Sequence, residues 1–457
     1  MGIEVKGLMS EPEVRKLAER MLSFVRADDA SVSVDSERFS HLRFAGNAIT
    51  TSGERQNRTA GVTVWLKTPD GMKRGAASTN DTDDASLRAA VEEAESLARI
   101  SPVDREYVPT LGPQVYRPPA GYAAQTALIS VEDRARKIGG IIAQCEKAGV
   151  VGAGFHQARG QAGGFATKNG NFGFQRSTLV SLSMTTRTRD GSSSGYFLRN
   201  HFDVARLDTD RIARESIRRA LEAQNAREIE PGTYPVILEP QAVADLLSSF
   251  AFSFDARSAE EGRNAFSAPG GKTRLGEPFF DEKINVYSDP AHAELPGNPA
   301  AQGGLPAQQV YLVRGGKVEN LVYSRFWATK QGRDATPGPV NTIIEAAGPT
   351  RPVEEMIKGM KRGLLISRFW YIRSIDPRTQ ALTGLTRDGV WYVEDGRIKH
   401  AVKNLRFNQS IVRMLAPGNV EAVSPPERVG SSEGSTAALL PALQLRAFTF
   451  TSQSEAV

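Results

Sequence analysis

Five histidines, one cysteine and a scatter of carboxylates are this chain's ordinary means of holding a metal. The histidines are His41, His156, His201, His292 and His400. No two lie within a helical turn of each other, and a single Cys145 cannot make a Cys-x-x-Cys pair, so the local zinc patterns are excluded. A site assembled from distant carboxylates stays open at this level. Two Gly-x-Ser-x-Gly segments, Gly191-Ser-Ser-Ser-Gly195 and Gly430-Ser-Ser-Glu-Gly434, carry the serine spacing of a nucleophile elbow. That chemistry needs a strand before the serine and a helix after it. The first segment lies between strand-like runs and the second in a polar tail, so both read as turns. No phosphate loop is present, and Gly152-Ala-Gly154 lacks the third glycine of a dinucleotide fingerprint. Cys145, in a helix-like run, reads as a small buried hydrophobe rather than a nucleophile.

One segment combines groups that bind ligands. Arg368-Phe-Trp-Tyr-Ile-Arg373 places aromatic and basic residues side by side, and Thr383-Gly-Leu-Thr-Arg-Asp-Gly-Val-Trp391 follows. In a strand, Arg368, Trp370 and Ile372 face one way and Phe369, Tyr371 and Arg373 the other. One reading is a sheet with a core face. The other is a groove in which a peptide adds as an extra strand, with Arg368, Tyr371, Arg373, Thr383 and Arg387 as its candidate lining. Backbone hydrogen bonds would then give sequence-tolerant affinity, and the arginines would hold carboxylates.

The elements that must position these groups are legible in outline. Ser10-Glu-Pro-Glu13 is a capping box that opens a helix with Val14, Leu17, Met21 and Val25 on one face. Alternating runs at 30–34, 39–44 and 62–66 follow, and Asp70-Gly71 turns the chain into a further strand. Leu87, Ala90, Ala94 and Leu97 mark a second helix, after Asp81, Asp83 and Asp84, which suit its first turn. A proline-rich linker spans about 102–119. Ser130 caps a helix carrying Ile138, Ile141 and Ile142. Strands dominate 150–201, punctuated by the hairpin signals Asn169-Gly170 and Asp190-Gly191. A charged helix over about 209–226 buries a narrow stripe of Ile212, Ile217, Ala220 and Leu221.

From 232 onward the chain is mostly strands and turns. Gly232-Thr-Tyr-Pro-Val-Ile-Leu238 reads as a strand, followed at once by a helix from Pro240 with Ala242, Leu246, Leu247 and Phe250 at helical spacing. Hairpins turn at Gly315-Gly316 and Asp395-Gly396, and 443–450 reads as a final strand. The stretch 253–304, rich in Gly, Pro and Ala, reads as a long mobile or functional loop, and 425–435 as a flexible tail. No internal repeat shows in the sequence. The fold class is α+β: a small α+β unit (1–115), a central helix-plus-strand unit (116–228) and a β-rich, mostly antiparallel unit (229–457).

The strand–helix unit at 232–253 resembles the start of the C-terminal domain of the TldD/PmbA (TldD/TldE) family. Other segments resemble that family in the same order: Arg43-Phe-Ala-Gly-Asn-Ala-Ile49, Gly61-Val-Thr-Val-Trp-Leu66, Arg74-Gly-Ala-Ala-Ser-Thr-Asn80, Thr167-Lys-Asn-Gly-Asn-Phe-Gly173, Asn341-Thr-Ile-Ile344, Gly363-Leu-Leu-Ile366, Thr383-Gly384 and Glu394-Asp-Gly-Arg-Ile398. The resemblance implies a His-Glu-x-x-x-His zinc motif on the helix, whose positions fall on Ser248, Ser249 and Ser253. A serine hydroxyl is a poor zinc ligand and cannot replace the glutamate as base. The cysteine ligand of the catalytic members has its counterpart at 430–434, where no cysteine stands. The resemblance is thus to the PmbA/TldE-type subunit.

Composition narrows the rest. With 40% hydrophobic and 24% charged residues in 457, the chain is long enough for two or three cores and reads as globular. One cysteine excludes an intrachain disulfide. No run approaches the length of a membrane-spanning helix, and the N-terminal residues lack the apolar core of a signal peptide. The net charge of +5 is scattered, without the dense basic run of a nucleic-acid module. The expectation is a cytoplasmic protein with neither nucleic acid nor membrane as partner. By resemblance it is a non-catalytic subunit with no zinc of its own, paired with a TldD-type zinc protease or with itself, around an extended peptide. A link to modulation of DNA gyrase would be indirect. The alternatives are a self-sufficient peptidase with an unrecognised site and a peptide-binding homodimeric scaffold.

Overall fold

The computed structural model describes residues 7–118, 120–431 and 437–454. Its first half is one six-stranded antiparallel sheet. The central pair is Asp29–Ala45 against Val150–Thr167, running antiparallel from Ser31 opposite Thr167 to Phe44 opposite Gly154. Ala48–Thr68 and then Gly71–Thr79 lie outside the first of these, and Phe172–Thr188 and then Ser194–His201 outside the second. The runs expected at 30–34 and 39–44 are therefore one long strand. Its hairpin turns at Gly46 and Asn47, both at positive φ, a conformation in which the strands' twist is continued through the bend.

A repeat invisible in the sequence emerges here. Each half of the sheet is a helix, a long hairpin, a short strand and a closing helix: Glu11–Ser23 and Asp84–Ile100 flank the first, Val131–Lys147 and Thr209–Glu222 the second. The antiparallel central pair is what a two-fold axis normal to the sheet produces. The closing helices touch the sheet through matched contacts. Gly75 lies opposite Val64 and Gly195 opposite Thr186. A Cβ on Gly75 would sit 2.0 Å from the Ala94 carbonyl oxygen, and one on Gly195 would sit 2.3 Å from that of Ser216. Small residues one turn apart, Ala94 with Ala98 and Ser216 with Ala220, let the helix backbone descend onto the strand. This rotates Leu97 and Leu221, expected on the buried stripes, out to solvent, where they are 39% and 41% exposed. Helix 11–23 opens as read, with Glu13 accepting from the backbone N–H and the hydroxyl of Ser10.

The helices cover one face of this sheet and leave the other open. Along Asp29–Ala45, Val32, Val34, Leu42 and Phe44 are buried beneath them, whereas Ser33, Asp35 and Arg43 point outward and are exposed. Cys145 is fully buried in the second helical core, and burial raises its pKa to about 11, which keeps it a thiol.

The C-terminal half is β-rich and mostly antiparallel. A nine-stranded sheet has Gly232–Leu238 near its centre, between Leu443–Gln453 and Arg362–Ile366. Val236, Ile237 and Leu238 are fully buried. A six-stranded sheet contains Ile284–Ser288 and Val310–Arg314. The two share a core with the helix Pro240–Leu247, which is enclosed on almost every side and buries Gln241 and Asp245 along with its apolar residues. The stretch 253–304 is more ordered than its composition suggests: it contributes the strand Ile284–Ser288 and the ring cluster of Phe254, Phe266, Phe279 and Phe280. Within the tail, Glu427–Gly430 pairs with Ala437–Leu440; the remainder of Gly430–Gly434 and of the tail lies largely outside the described residues.

Gly195→Ala is expected to destabilise the chain by about 3 kcal/mol, the upper end of over-packing costs, because the obstacle is helix backbone rather than a movable side chain; urea unfolding measures it. A second expectation concerns acid. His156 is fully buried with neither ring nitrogen hydrogen-bonded among the described residues. Burial, then Arg134 and Lys137, lower its pKa to about 4. An imidazole in the unfolded chain protonates near pH 6.5, so the unfolded state gains protons first as pH falls. Stability present above pH 6.5 should drop by roughly 3 kcal/mol on approaching pH 4. Unfolding curves at stepped pH should show that slope flattened in His156→Leu.

Candidate functional site

The three serines at the motif positions do not share a helical face. The helix ends at Leu247. Ser248 is buried at its C-cap, and Ser249 is exposed. Ser253 closes a short 3₁₀ turn, donating to the Phe250 carbonyl at 2.7 Å and accepting from Gln380 Nε2 at 3.0 Å. The three thus lie at a helix end, on an exposed turn and in a 3₁₀ turn. Among the described residues, no three His, Cys, Asp or Glu side chains are grouped to hold a metal ion. The donor set of three serine hydroxyls does not fit zinc.

What the helix retains is a structural role at the joint between the two halves. Asp245 accepts from the backbone N–H of Phe369 at 3.0 Å and from Gln241 Nε2 at 3.0 Å, and Gln241 also donates to the Gly430 carbonyl at 2.8 Å. Glu239, just before the helix, takes Arg219 at 2.8 Å and the Ser367 hydroxyl at 2.5 Å. One turn of the strand Ser194–His201 supplies the opposite wall. The Ser194 hydroxyl donates to Asp388 at 2.5 Å, and Asp388 faces Arg368 at 3.3 Å. The Arg368 guanidinium lies 3.8 Å from the centre of the Tyr196 ring, a cation–π contact in a desolvated setting. Burial pushes the Tyr196 phenol's pKa up, with Arg368 pulling against it. The chemistry available here is cohesion through paired charges and hydrogen bonds, with Arg219 Nε, Gln241 Oε1 and Arg368 Nε buried and unpartnered among the described residues.

The aromatic–basic segment is divided by this joint. Phe369–Asp376 is a strand at the edge of the nine-stranded sheet. Arg368, just before it, is 4% exposed and turned inward. Pairing with Ala381–Thr386 slips between Trp370 and Arg373, where Tyr371 takes a positive φ of 53°. The bulge breaks the alternation expected of a plain strand. Phe369 enters the core, Tyr371 is 58% exposed, and Arg373 lies outside. Thr383 donates to the Phe407 carbonyl at 3.1 Å, and Arg387 reaches Asp388 at 3.8 Å. Sequence reasoning missed Ser194, Tyr196, Asp245 and Asp388 as members of one cluster. Only Asp388-Gly389, a turn signal beside Arg387, hinted at any of them.

Arg368→Met should cost roughly 3–5 kcal/mol, because it takes the nearer of two cations from the buried Asp388 carboxylate, and adding Asp388→Asn, which tolerates the left-handed φ of 55° there, should recover much of that loss. Chemical unfolding of the single and double variants checks both.

Three successive domain families match this sequence: PmbA/TldA metallopeptidase domain 1 over residues 30–98, the central domain over 125–224 and the C-terminal domain over 231–452. No curated protein sequence matches. Among solved structures, TldE from Thermococcus kodakarensis superposes with a TM-score of 0.82 at 19% identity, covering 96% of this chain and 99% of that one. A candidate DNA gyrase modulator from Thermotoga maritima gives 0.82 at 17%, with 96% and 100% covered. Another from Bacteroides thetaiotaomicron gives 0.81 at 16%, with 97% and 100% covered. At such identities the likeness is one of fold, while the ordered domain matches span nearly the whole chain. The chain is a member of the PmbA/TldD metallopeptidase family.

Proposed function

We propose that this chain is the TldE/PmbA-type, non-catalytic subunit of a cytoplasmic peptide-cleaving assembly. In this reading a TldD-type partner supplies the zinc and the general base. This chain supplies dimer surface and part of a peptide-enclosing chamber. The observation that carries the reading is the serine at each of the three motif positions, on a chain segment that leaves the helix before the motif could form.

Two surfaces favour a partner and an extended substrate. The outer face of the sheet bears a stack of Phe39, His41 and Phe155, with ring centres 5.8 and 5.7 Å apart. Arg55 and Arg159 lie over Phe39 and Arg43 over Phe155. Aromatic and arginine side chains are the types enriched at protein interfaces. The edge strand Phe369–Asp376 offers main-chain groups to an added strand, with Tyr371, Arg373 and Arg387 beside it. Arg368, held by Asp388, would act there by positioning the strand.

Zinc content and peptidase activity of the purified chain, alone and mixed with a TldD-type protein, test the proposal. The expected result is sub-stoichiometric zinc and no cleavage alone, with cleavage in the mixture. Stoichiometric zinc with unaided cleavage would overturn it. A mixture no more active than the TldD-type protein by itself would favour the homodimeric scaffold.

A further inference from the structure

The outer face of the six-stranded sheet is not open along its whole length. At the end bearing Ser31, Ser33 and Asp35, the segment 295–304 of the C-terminal half folds over it. Two cavities of about 540 and 580 Å³ lie beneath, and Asp35, Gln175 and Asn298 line both. Together they form one cleft with Asp35 at its middle.

The cleft changes character along its length. On one side of Asp35 the walls include Trp65, Phe165, Leu111 and Pro299, with Arg325, which donates to the Pro109 carbonyl. On the other side stand Arg176 and Arg428, with Glu37, which is already paired with Arg55 and Arg159. Arg428 is engaged by Asn200 at 2.9 Å and by the Glu294 carbonyl at 2.5 Å. Arg176 lies over the Tyr122 ring at 4.5 Å. Neither has a carboxylate within ion-pair distance among the described residues. Asp35 itself accepts no hydrogen bond and meets no cation among them. Its neighbours wall it in enough to push its carboxyl pKa up, yet its side chain remains open to the cleft. The opening depends on Gly163: a Cβ there would lie 2.4 Å from Asp35 Oδ1.

A carboxylate left uncompensated in a walled cleft calls for a cation from outside. We propose that this cleft binds an extended peptide segment in which a basic side chain pairs with Asp35 and an adjacent apolar side chain packs against Trp65 and Phe165. A carboxylate on the far side of the basic residue faces Arg176 and Arg428. The site lies on the outer face of the N-terminal sheet, apart from the edge strand Phe369–Asp376. It rests on the peptide-handling reading only for the choice of a peptide as occupant.

The test is binding by the isolated full chain, read by fluorescence anisotropy, so that it needs neither zinc nor a partner. The probes are a short labelled peptide with one lysine flanked by leucines and the same peptide with norleucine in place of lysine. The lysine peptide should bind at least about tenfold more tightly, the worth of one charge-assisted contact. Asp35→Asn should erase that preference, and Ser33→Trp, which fills the cleft floor, should abolish binding of both peptides. Equal affinity for the two peptides, no saturable binding, or binding untouched by Ser33→Trp would each overturn the proposal. If Asp35→Asn fails to fold, the comparison of the two peptides on the unaltered chain decides alone. A positive result with no activity in the mixture described above would leave this site standing and the subunit reading fallen.

Discussion

The approach of helix Thr209–Glu222 to strand Ser194–His201 at Gly195 sets the position of one of the two groups of contacts that join the halves, the other running from Glu106, Pro109 and Tyr116 to Arg257, Arg325 and Gly304. With backbone against backbone, that strand and helix become one rigid unit. Their outward groups then meet the C-terminal half in register. Ser194 reaches Asp388, Arg199 reaches Glu427 at 2.6 Å, and Arg219 reaches Glu239. Asn200 takes Arg428, and Arg206 takes Glu294 at 3.0 Å. A shift of the helix outward by the width of a methyl group would draw Arg219 away from Glu239 and part the helix from the strand that carries the others. The matching contact at Gly75, far from the joint, has only the local sheet to serve.

The same joint also accounts for how firmly the helix that follows Gly232–Leu238 is held. Pro240–Leu247 is buried on almost every side, and its polar groups Gln241 and Asp245 are spent on fixing Gly430 and Phe369. Buried polar groups engaged in this way specify an arrangement along with apolar packing, although Gln241 Oε1 has no partner among the described residues. Beyond the helix, Phe250 and Ala251 are still buried in the core, and of the three serines only Ser249 is exposed, so change is cheapest there.

The sequence was most legible where structure is local. The Ser10–Glu13 cap, the Asp70-Gly71, Asp190-Gly191 and Asp395-Gly396 turns and the Pro240 helix start depend on neighbours a few residues away, and all are found. The α+β class and the family follow from such elements in order. It was least legible where distant residues decide. The closing helices choose alanine and serine for contact because a glycine on another strand receives them, so Leu97 and Leu221 mislead a reading by hydrophobicity alone. Arg368 looked like a surface ligand group because its counter-ion lies across a turn and its cover comes from a tyrosine far earlier in the chain. The ring cluster around Phe266 has no periodicity, and so 253–304 read as loop. Asp35 occurs in an ordinary alternating strand; only the fold shows that a segment from the other half closes over it.

The strand Leu443–Gln453 lies in the interior of its sheet, bonded to Leu405–Ser410 on one side and Gly232–Leu238 on the other. In synthesis from the N-terminus, the sheet's central slot therefore stays vacant while more than two hundred residues emerge. Throughout that interval Gly232–Leu238 presents an open edge of bare main-chain groups beside exposed valine, isoleucine and leucine, the kind of surface that recruits chaperones or aggregates. The first half waits less: each of its hairpins pairs as it appears, and Asp29–Ala45 stays open for only about a hundred residues before Val150–Thr167 covers it. A nascent chain of this protein is thus a finished platform trailing an unfinished domain, and a stop codon near its end would forfeit the whole second half rather than shorten it.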